Sequence, residues 1–384
     1  MSKRQIPTKI RILHCADIHL DSAFSKASVK RGEERRAELR AVFSDMMNYV
    51  KNGNIDILLI AGDLFDSEFA TSETLLLLQR ELSSCRIPVF ISPGNHDFYN
   101  ERSIYACGKF PSNVHIFKSE ELECVNIDEL NVSVYGWAFC DIFHRNSPIA
   151  NKKVSDHSRL NLICGHADLT SPLSEQCPVT RQDIEGFGAD YAAFGHIHVN
   201  PEQKSIGKTA YAYSGCLEGR GFDECGVGGA WLIEAERTEN GYSLRAKRLN
   251  FARSRFETLT LDITGESDIS RIQEKASSEI KRLGLGTGVS LRIILTGSAP
   301  LNLSLRGIDE DSLGLDYIEY KNDTSPTYDA AYLESDMTIK GEFYRYLLPL
   351  LTSGTPEERK TAANALKIGL AALENREITT QTEI

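Results

Sequence analysis

The chain reads as an α/β protein: a layer of buried parallel strands, a second, mixed sheet packed on it, and a smaller α/β appendage. Three observations predict this. Strand-sized apolar runs alternate with helical patterns as far as Ser92, shorter strand-rich segments follow from Glu120, and the pattern changes again after Phe251, beyond which there is no histidine.

Ile10–Ala16 is apolar on both faces, as a buried parallel strand must be. Leu39, Phe43, Met46, Met47 and Val50 then recur at helical spacing. Ile57–Ala61 reads as the next strand, Leu75–Leu82 as a helix and Val89–Ser92 as a third strand, a β-α-β-α-β rhythm. Asn131–Tyr135, Leu160–Cys164, Tyr191–Phe194, Ala210–Ser214 and Gly229–Glu234 are the strands expected to make the second sheet. After Phe251, Leu259, Leu261 and Ile263 alternate, as do Leu291, Ile293 and Leu295, with a helix over Ile269–Leu283 between them. Two helical segments close the chain, Ile339–Leu351 and Pro356–Leu373. Thr355-Pro356-Glu357-Glu358 opens the second with a capping threonine, a proline at the first position and a glutamate three on. Thr379–Ile384 is expected to fray.

With 384 residues, 41% hydrophobic and 25% charged, the composition is that of a globular protein with room for a second domain. No apolar run reaches membrane-span length, and Ile10–Ala16 runs into Asp17 without room for a cleaved signal peptide. Nine cysteines lie between Cys15 and Cys225 without a C-x-x-C pair, the pattern of reduced thiols in a cytoplasmic protein. The net charge is −11, but residues 256–384 hold 21 acidic and 13 basic side chains and so carry most of it. The first 255 residues are close to balanced, so composition does not exclude a nucleic-acid contact there.

Five motifs carry chemistry: Asp17-Ile18-His19, Gly62-Asp63-Leu64-Phe65-Asp66, Gly94-Asn95-His96-Asp97, Gly165-His166 and Gly195-His196-Ile197-His198. Each falls where an apolar run stops, placing it at the carboxyl end of a strand, where α/β sheets put their sites. Two carboxylates, an amide oxygen and several imidazoles suit two divalent ions sharing one carboxylate. Asp63 is the candidate bridge. Asp17, His19 and His198 would complete one ion, and Asn95, His166 and His196 the other. His96, directly after Asn95, is poorly placed to bind the same ion and reads as the group that contacts the phosphate and assists the leaving oxygen. Water activated by metal would supply the nucleophile, so no serine or cysteine is required. Asp66 and Asp97 could orient ligand histidines or cap their loops. His14, His115, His144 and His157 lie outside the motifs and read as core or surface histidines.

In their order and wider frames, Ala16–Asp21, Ala61–Asp66 and Ser92–Asp97, these motifs resemble the calcineurin-like metallophosphoesterase superfamily. Within it they look like SbcD-type DNA-repair nucleases of the YhaO-like bacterial branch. The segment Ser214–Glu224 is similar to a late loop of that group. The resemblance implies a two-sheet metallophosphoesterase sandwich flanked by helices over residues 1–255 and an α/β capping domain over 256–384. It also implies two manganese ions, with magnesium or iron as the other choices, on the seven ligands named above. Arg220 would be a substrate-side residue or one supporting the ligands. Some relatives have a histidine where Asp66 stands.

The activity implied is exo- or endonuclease action on DNA in repair or end processing, beside an SbcC-type, SMC-like ATPase. A homodimer is left open. Two other functions compete. One is a phosphatase or cyclic-nucleotide phosphodiesterase on the same fold, since substrate choice lies in the surrounding surface. The other is a non-catalytic subunit that binds DNA or a partner, which the full ligand set does nothing to motivate. Lys26–Arg40 tilts toward DNA. It holds Lys26, Lys30, Arg31, Arg35, Arg36 and Arg40 against Glu33, Glu34 and Glu38, and Arg31, Arg35 and Arg36 are the candidate phosphate contacts. A solvated helix face laced with ion pairs explains the same pattern. In the terminal helices, Leu347, Leu350, Leu351, Leu366, Leu370 and Leu373 could dock an ATPase, but they fit the domain's own core better.

Overall fold

The computed structural model describes residues 7–25, 28–67, 70–199, 202–300 and 313–373; Lys26 and Thr379–Ile384 lie outside them. The chain divides into two compact units, residues 1–255 and 256–384.

The first unit opens with β1 (Lys9–Cys15), α1 (Val29–Asn52), β2 (Ile57–Ile60), α2 (Ser72–Cys85), β3 (Val89–Ile91), α3 (Ile104–Cys107) and β4 (Val114–Ile116). Strands β1 to β4 pair in parallel in that order. Next come β5 (Glu123–Ile127), β6 (Val132–Gly136), β7 (Leu160–His166), α4 (Arg181–Phe187), β8 (Tyr191–Gly195), β9 (Gln203–Ile206), β10 (Thr209–Tyr213), β11 (Gly229–Thr238) and β12 (Gly241–Asn250). The second sheet has the order β5-β6-β7-β8-β10-β9, parallel in its middle and antiparallel at both edges.

Gly229–Glu234 does not join that sheet. As β11 it runs antiparallel to β1, with Ile12 opposite Ile233, and β12 follows it as the edge of the first sheet. The reason is visible in its side chains: Ala230 and Leu232 face the α1 layer while Trp231, Ile233 and Ala235 face the space between the sheets. A strand buried on both faces fits either sheet, so its pattern does not choose one.

Alternate residues of each strand point to opposite layers. Leu13, Leu58 and Ile60 pack under Leu39, Phe43 and Met46 of α1; Ile12, Ile57 and Leu59 meet Val134, Leu162 and Tyr191 between the sheets; Ile163 and Trp137 pack with Ile184 and Phe187 of α4. The unit is thus a two-sheet sandwich flanked by helices. His14 sits in its middle, with Nδ1 2.9 Å from the Tyr191 hydroxyl and Nε2 3.1 Å from the Phe194 carbonyl. Burial lowers its pKa to about 3 and keeps it a neutral core residue.

The second unit holds β13 (Arg255–Asp262), α5 (Ile269–Leu283), β14 (Val289–Thr296), β15 (Ser298–Pro300), β16 (Tyr317–Asn322), β17 (Ser325–Thr327), α6 (Ala330–Ser335), α7 (Ile339–Ser353) and α8 (Pro356–Leu373). Ile272, Ala276 and Ile280 of α5 share a core with Leu261, Leu291 and Ile293 of a three-stranded sheet. In α7 and α8, Leu347, Leu366 and Leu370 are buried in a small cluster of their own, whereas Leu350 and Leu373 stay exposed. The capping box forms at α8: Thr355 Oγ1 accepts from the Glu358 amide at 3.3 Å, and the Glu358 carboxylate accepts from the Thr355 amide at 2.8 Å. Among the described residues no helix is long and apolar enough to cross a membrane.

Candidate metal centre

The chain leaves β1, β2, β3 and β8 into loops that carry Asp17 and His19, Asp63, Asn95 and His96, and His196 and His198; His166 is the last residue of β7. The first two loops are zipped together: the Asp17 amide donates to the Gly62 carbonyl at 3.0 Å, and those of Ile18 and His19 to the Asp63 carbonyl at 2.9 and 3.0 Å. Asp17, His19, Asp63 and His196 all have left-handed backbone, with φ of 49°, 48°, 50° and 104°. Such conformations cost non-glycine residues on the order of 1 kcal/mol or more each, and the zipped loops hold them. Two motif glycines are fixed by close approach. A Cβ on Gly62, whose φ is 97°, would lie 2.1 Å from His166 Nδ1, and one on Gly94 would lie 2.2 Å from Asp63 Oδ1.

Three imidazoles are oriented through Nδ1. His19 Nδ1 lies 2.9 Å from Asp66 Oδ1, His166 Nδ1 3.0 Å from the Ala61 carbonyl and His198 Nδ1 2.8 Å from Glu224 Oε1. A carbonyl or carboxylate can only accept, so each Nδ1 carries the proton. Burial pushes the pKa of His19 and His166 down, which leaves these rings neutral with a bare Nε2. All three Nε2 atoms turn to the same place. Those of His19 and His166 lie 3.6 and 3.5 Å from Asp63 Oδ2, and that of His198 lies 3.7 Å from Asp17 Oδ1 and 3.3 Å from His19 Nε2. His166 Nε2 also faces Asn95 Oδ1 at 3.0 Å, two acceptors with no proton between them. At His198 burial is outweighed by Glu224 and Asp17, which raise the pKa and favour positive charge on the ring.

The converging lone pairs of His19, His166 and Asn95, beside the carboxylates of Asp17 and Asp63, fit a cation. Asp17, His19, Asp63 and His198 each offer a donor atom within 4.8 Å of the others. The His196 amide donates to both Asp17 oxygens at 3.0 and 3.2 Å, and its ring stands 5.3 Å from that of His166. His96 stands at the edge of the cluster, with a ring nitrogen within 4.8 Å of donor atoms of His19 and Asp66. Its side chain is 43% exposed, its amide donates to Asp63 Oδ1 at 3.1 Å, and its ring lies edge-on to His19 at 4.8 Å.

The remaining acids divide the two roles left open for them. Asp66 orients His19 and accepts from Ser22 Oγ at 3.1 Å. Asp97 touches no histidine. It takes the Gly94 amide at 2.7 Å, the Phe65 amide at 3.1 Å and the Tyr105 hydroxyl at 2.5 Å, fastening two of the loops together. Burial and the nearby Asp63 raise its pKa to about 7. Arg220 donates to Asp66 Oδ1 at 2.7 Å and to Glu224 Oε1 at 2.6 Å, so one guanidinium holds the two carboxylates that orient His19 and His198. Sequence reasoning placed Arg220 without assigning its role, and it gave none to Glu224. The signal was there: an acid four residues after the arginine, in the same distinctive loop.

Residues 10–200 match the family described as calcineurin-like phosphoesterase. This stretch is a calcineurin-like phosphoesterase domain. The chain is 27% identical over 309 residues to an uncharacterized metallophosphoesterase, YhaO, of Bacillus subtilis, covering 76% of this chain and 73% of that one. It is 24% identical to the DNA double-strand break repair protein Mre11 of Methanopyrus kandleri (59% of this chain, 54% of the relative), and 22% identical to a subunit of the nuclease SbcCD of Staphylococcus epidermidis (56% and 63%). The chain thus spans less than two thirds of each of the two nuclease-related proteins. Among solved structures, TT1561 of Thermus thermophilus aligns over 63% of this chain and 99% of its own, at 11% identity and a TM-score of 0.38. Relatives of this kind are those of the SbcD-type branch, and the family implies a hydrolase that uses divalent metal ions.

One arginine of the phosphoesterase domain is not where a DNA contact needs it. Arg35 is 4% exposed: its guanidinium pairs with Glu38 and donates to Glu218 Oε1 at 3.1 Å, Ser254 Oγ at 2.7 Å and the Gly219 carbonyl at 2.7 Å. It cannot reach phosphates, because α1 turns it inward beside Leu39 and Val42. Arg31 and Arg36 are half-buried at the surface, Arg31 beside Glu34 at 3.4 Å and Arg36 donating to the Ala23 carbonyl at 3.5 Å.

Proposed function

We propose that this chain is a metal-dependent phosphodiesterase that cuts DNA. The observation that carries the reading is the convergence of three Nδ1-tethered imidazoles on Asp63 and Asp17. Asp63 would bridge two ions, with Asp17, His19 and His198 on one and Asn95, His166 and His196 on the other; manganese is the ion we assign. When bound, such ions polarise a phosphoryl oxygen and bring the pKa of water toward neutrality. The chain's own groups do the rest. Asp66, Glu224 and the Ala61 carbonyl fix which ring nitrogen faces the site. His96, exposed at its mouth and tied by its amide to Asp63, meets the phosphate and gives a proton to the departing oxygen.

DNA as substrate is supported by the names of two relatives, a double-strand break repair protein and a nuclease component, and by the surface positions of Arg31 and Arg36. The second relative is named as one part of a larger nuclease, which supports a partner for this chain too. We assign that partner as an SMC-like ATPase, and residues 256–384 as a capping domain. The test is the purified protein with manganese against labelled duplex, hairpin and single-stranded DNA, beside bis-p-nitrophenyl phosphate and cyclic nucleotides. Cleavage of DNA that EDTA abolishes is expected. Faster turnover of a cyclic nucleotide or a phosphomonoester than of any DNA would overturn the choice of substrate.

A further inference from the structure

The loop between β10 and β11 meets the metal cluster through some of its side chains and is anchored away from the ligands through another. At the cluster, Arg220 and Glu224 close a tight turn: the Arg220 amide donates to Glu224 Oε2 at 2.7 Å, and the Glu224 amide to the Gly221 carbonyl at 3.0 Å. Their side chains hold His198 and Asp66, and the Cys216 amide donates to the His198 carbonyl at 3.3 Å. Two residues before Arg220 stands Glu218, a carboxylate that is 1% exposed and touches no ligand of the site.

Glu218 is held from outside the loop. Oε1 accepts from Arg35 of α1 at 3.1 Å and from Ser254 Oγ at 2.7 Å, and Oε2 from the Arg253 amide at 3.0 Å. Arg35 also donates to the Gly219 carbonyl, on the peptide unit that joins Gly219 to Arg220. A buried carboxylate is costly unless it is paired, so these bonds fix the loop's register and not merely its general position. They do so from two sides: from α1, and from the segment after β12 that leads into residues 256–384.

We propose that Glu218 and Arg35 are positioning residues for the metal centre, acting through Arg220 and Glu224 on His198 and His19. The effect falls on one side of the cluster, because His166 is oriented by the Ala61 carbonyl and Asn95 follows β3, neither of which touches this loop. Loosening Glu218 therefore weakens the ion assigned to Asp17, His19 and His198 and spares the other. The proposal rests on the two-ion reading above.

The experiment is calorimetric titration of the full metal-free chain with manganese, together with the electron paramagnetic resonance of the manganese-loaded protein. Wild type is expected to bind two ions with the spectrum of a coupled pair. Glu218→Ala is expected to weaken one ion on the order of 10-fold or more, to leave the second unchanged, and to give an uncoupled spectrum at limiting manganese. Ser254→Ala keeps the carboxylate and its ion pair with Arg35 and removes the bonds that Ser254 Oγ donates to Glu218 and accepts from Arg35; it is expected to move the same ion in the same direction by a smaller factor. That variant keeps the test usable if Glu218→Ala does not fold. If wild type binds no pair of ions, the two-ion reading fails. If wild type binds two and Ser254→Ala and every folded Glu218 variant bind both as tightly, or weaken both equally, the positioning role is overturned while that reading stands.

Discussion

On one side of the cluster His19 and His198 are held through Nδ1 by the carboxylates of Asp66 and Glu224; on the other His166 is held by the main-chain carbonyl of Ala61. The first arrangement depends on side chains from separate loops and on Arg220 to hold them. The second is part of the sheet, since the Ala61 amide itself donates to the Cys15 carbonyl at 2.8 Å. A carboxylate makes a ligand imidazole more basic than a carbonyl does, and it can be removed by substitution. The two halves should therefore differ in how they respond to mutation: one tunable, the other fixed by the backbone.

The largest effect should come where the difference vanishes. Asp63 faces both halves, so Asp63→Asn is expected to lose both ions and to bring hydrolysis to background; metal analysis after gel filtration checks it. Retention of two ions by this variant would contradict the shared role. His96→Ala is expected to keep both ions and to lose about 10²- to 10⁴-fold in turnover, the usual span for a general acid. A His96 variant that cuts at the wild-type rate would remove that residue from the chemistry. Next, Glu224→Gln keeps the size of the side chain and loses its charge. It is expected to weaken one ion by about 10- to 100-fold and leave the other unchanged, as read by manganese titration. Equal weakening of both would erase the comparison.

The same contrast marks what was legible in the sequence. The residues brought together were marked by short motifs at strand ends, because a ligand on a left-handed loop residue needs a small neighbour and a strand to hold it. Gly62 before Asp63 is such a neighbour, and Gly94 before Asn95 is kept small by its closeness to Asp63 Oδ1. The strands and helices that carry them follow from apolar runs and helical spacing. Glu218 was not assigned, since a carboxylate that acts by hydrogen bonding leaves no periodic trace; Glu224 was legible only through its place four residues after Arg220 in the same loop. Arg35 was misplaced for a related reason. It lies one turn before Leu39 on the buried face of α1, but Glu218 and Ser254, which hold a charged arginine there, are partners that α1 meets only in space. The placement of β11 beside β1 was hidden because long-range pairing has no local signature.

The smallest effect, and the one that separates surface from interior on α1, concerns the DNA contact itself. Arg31→Glu combined with Arg36→Glu should cost little stability, because exposed ion pairs such as Arg31 with Glu34 contribute about 1 kcal/mol or less. If both arginines take duplex phosphates, each phosphate no longer neutralised lowers the slope of log affinity against log salt by about 0.9, so the pair should flatten it by nearly two. Binding at low salt should weaken most, while hydrolysis of bis-p-nitrophenyl phosphate stays unchanged, since no residue of the cluster is altered. Arg35→Glu is the internal contrast. It sets a third carboxylate against Glu38 and Glu218, and breaking a buried pair in this way costs on the order of 3–5 kcal/mol, so the variant should lose thermal stability and both activities together. Fluorescence anisotropy on a labelled duplex across a salt series, beside a melting curve, reads both outcomes. An unchanged salt slope in the Arg31 and Arg36 double variant would place the duplex on another face of the phosphoesterase domain.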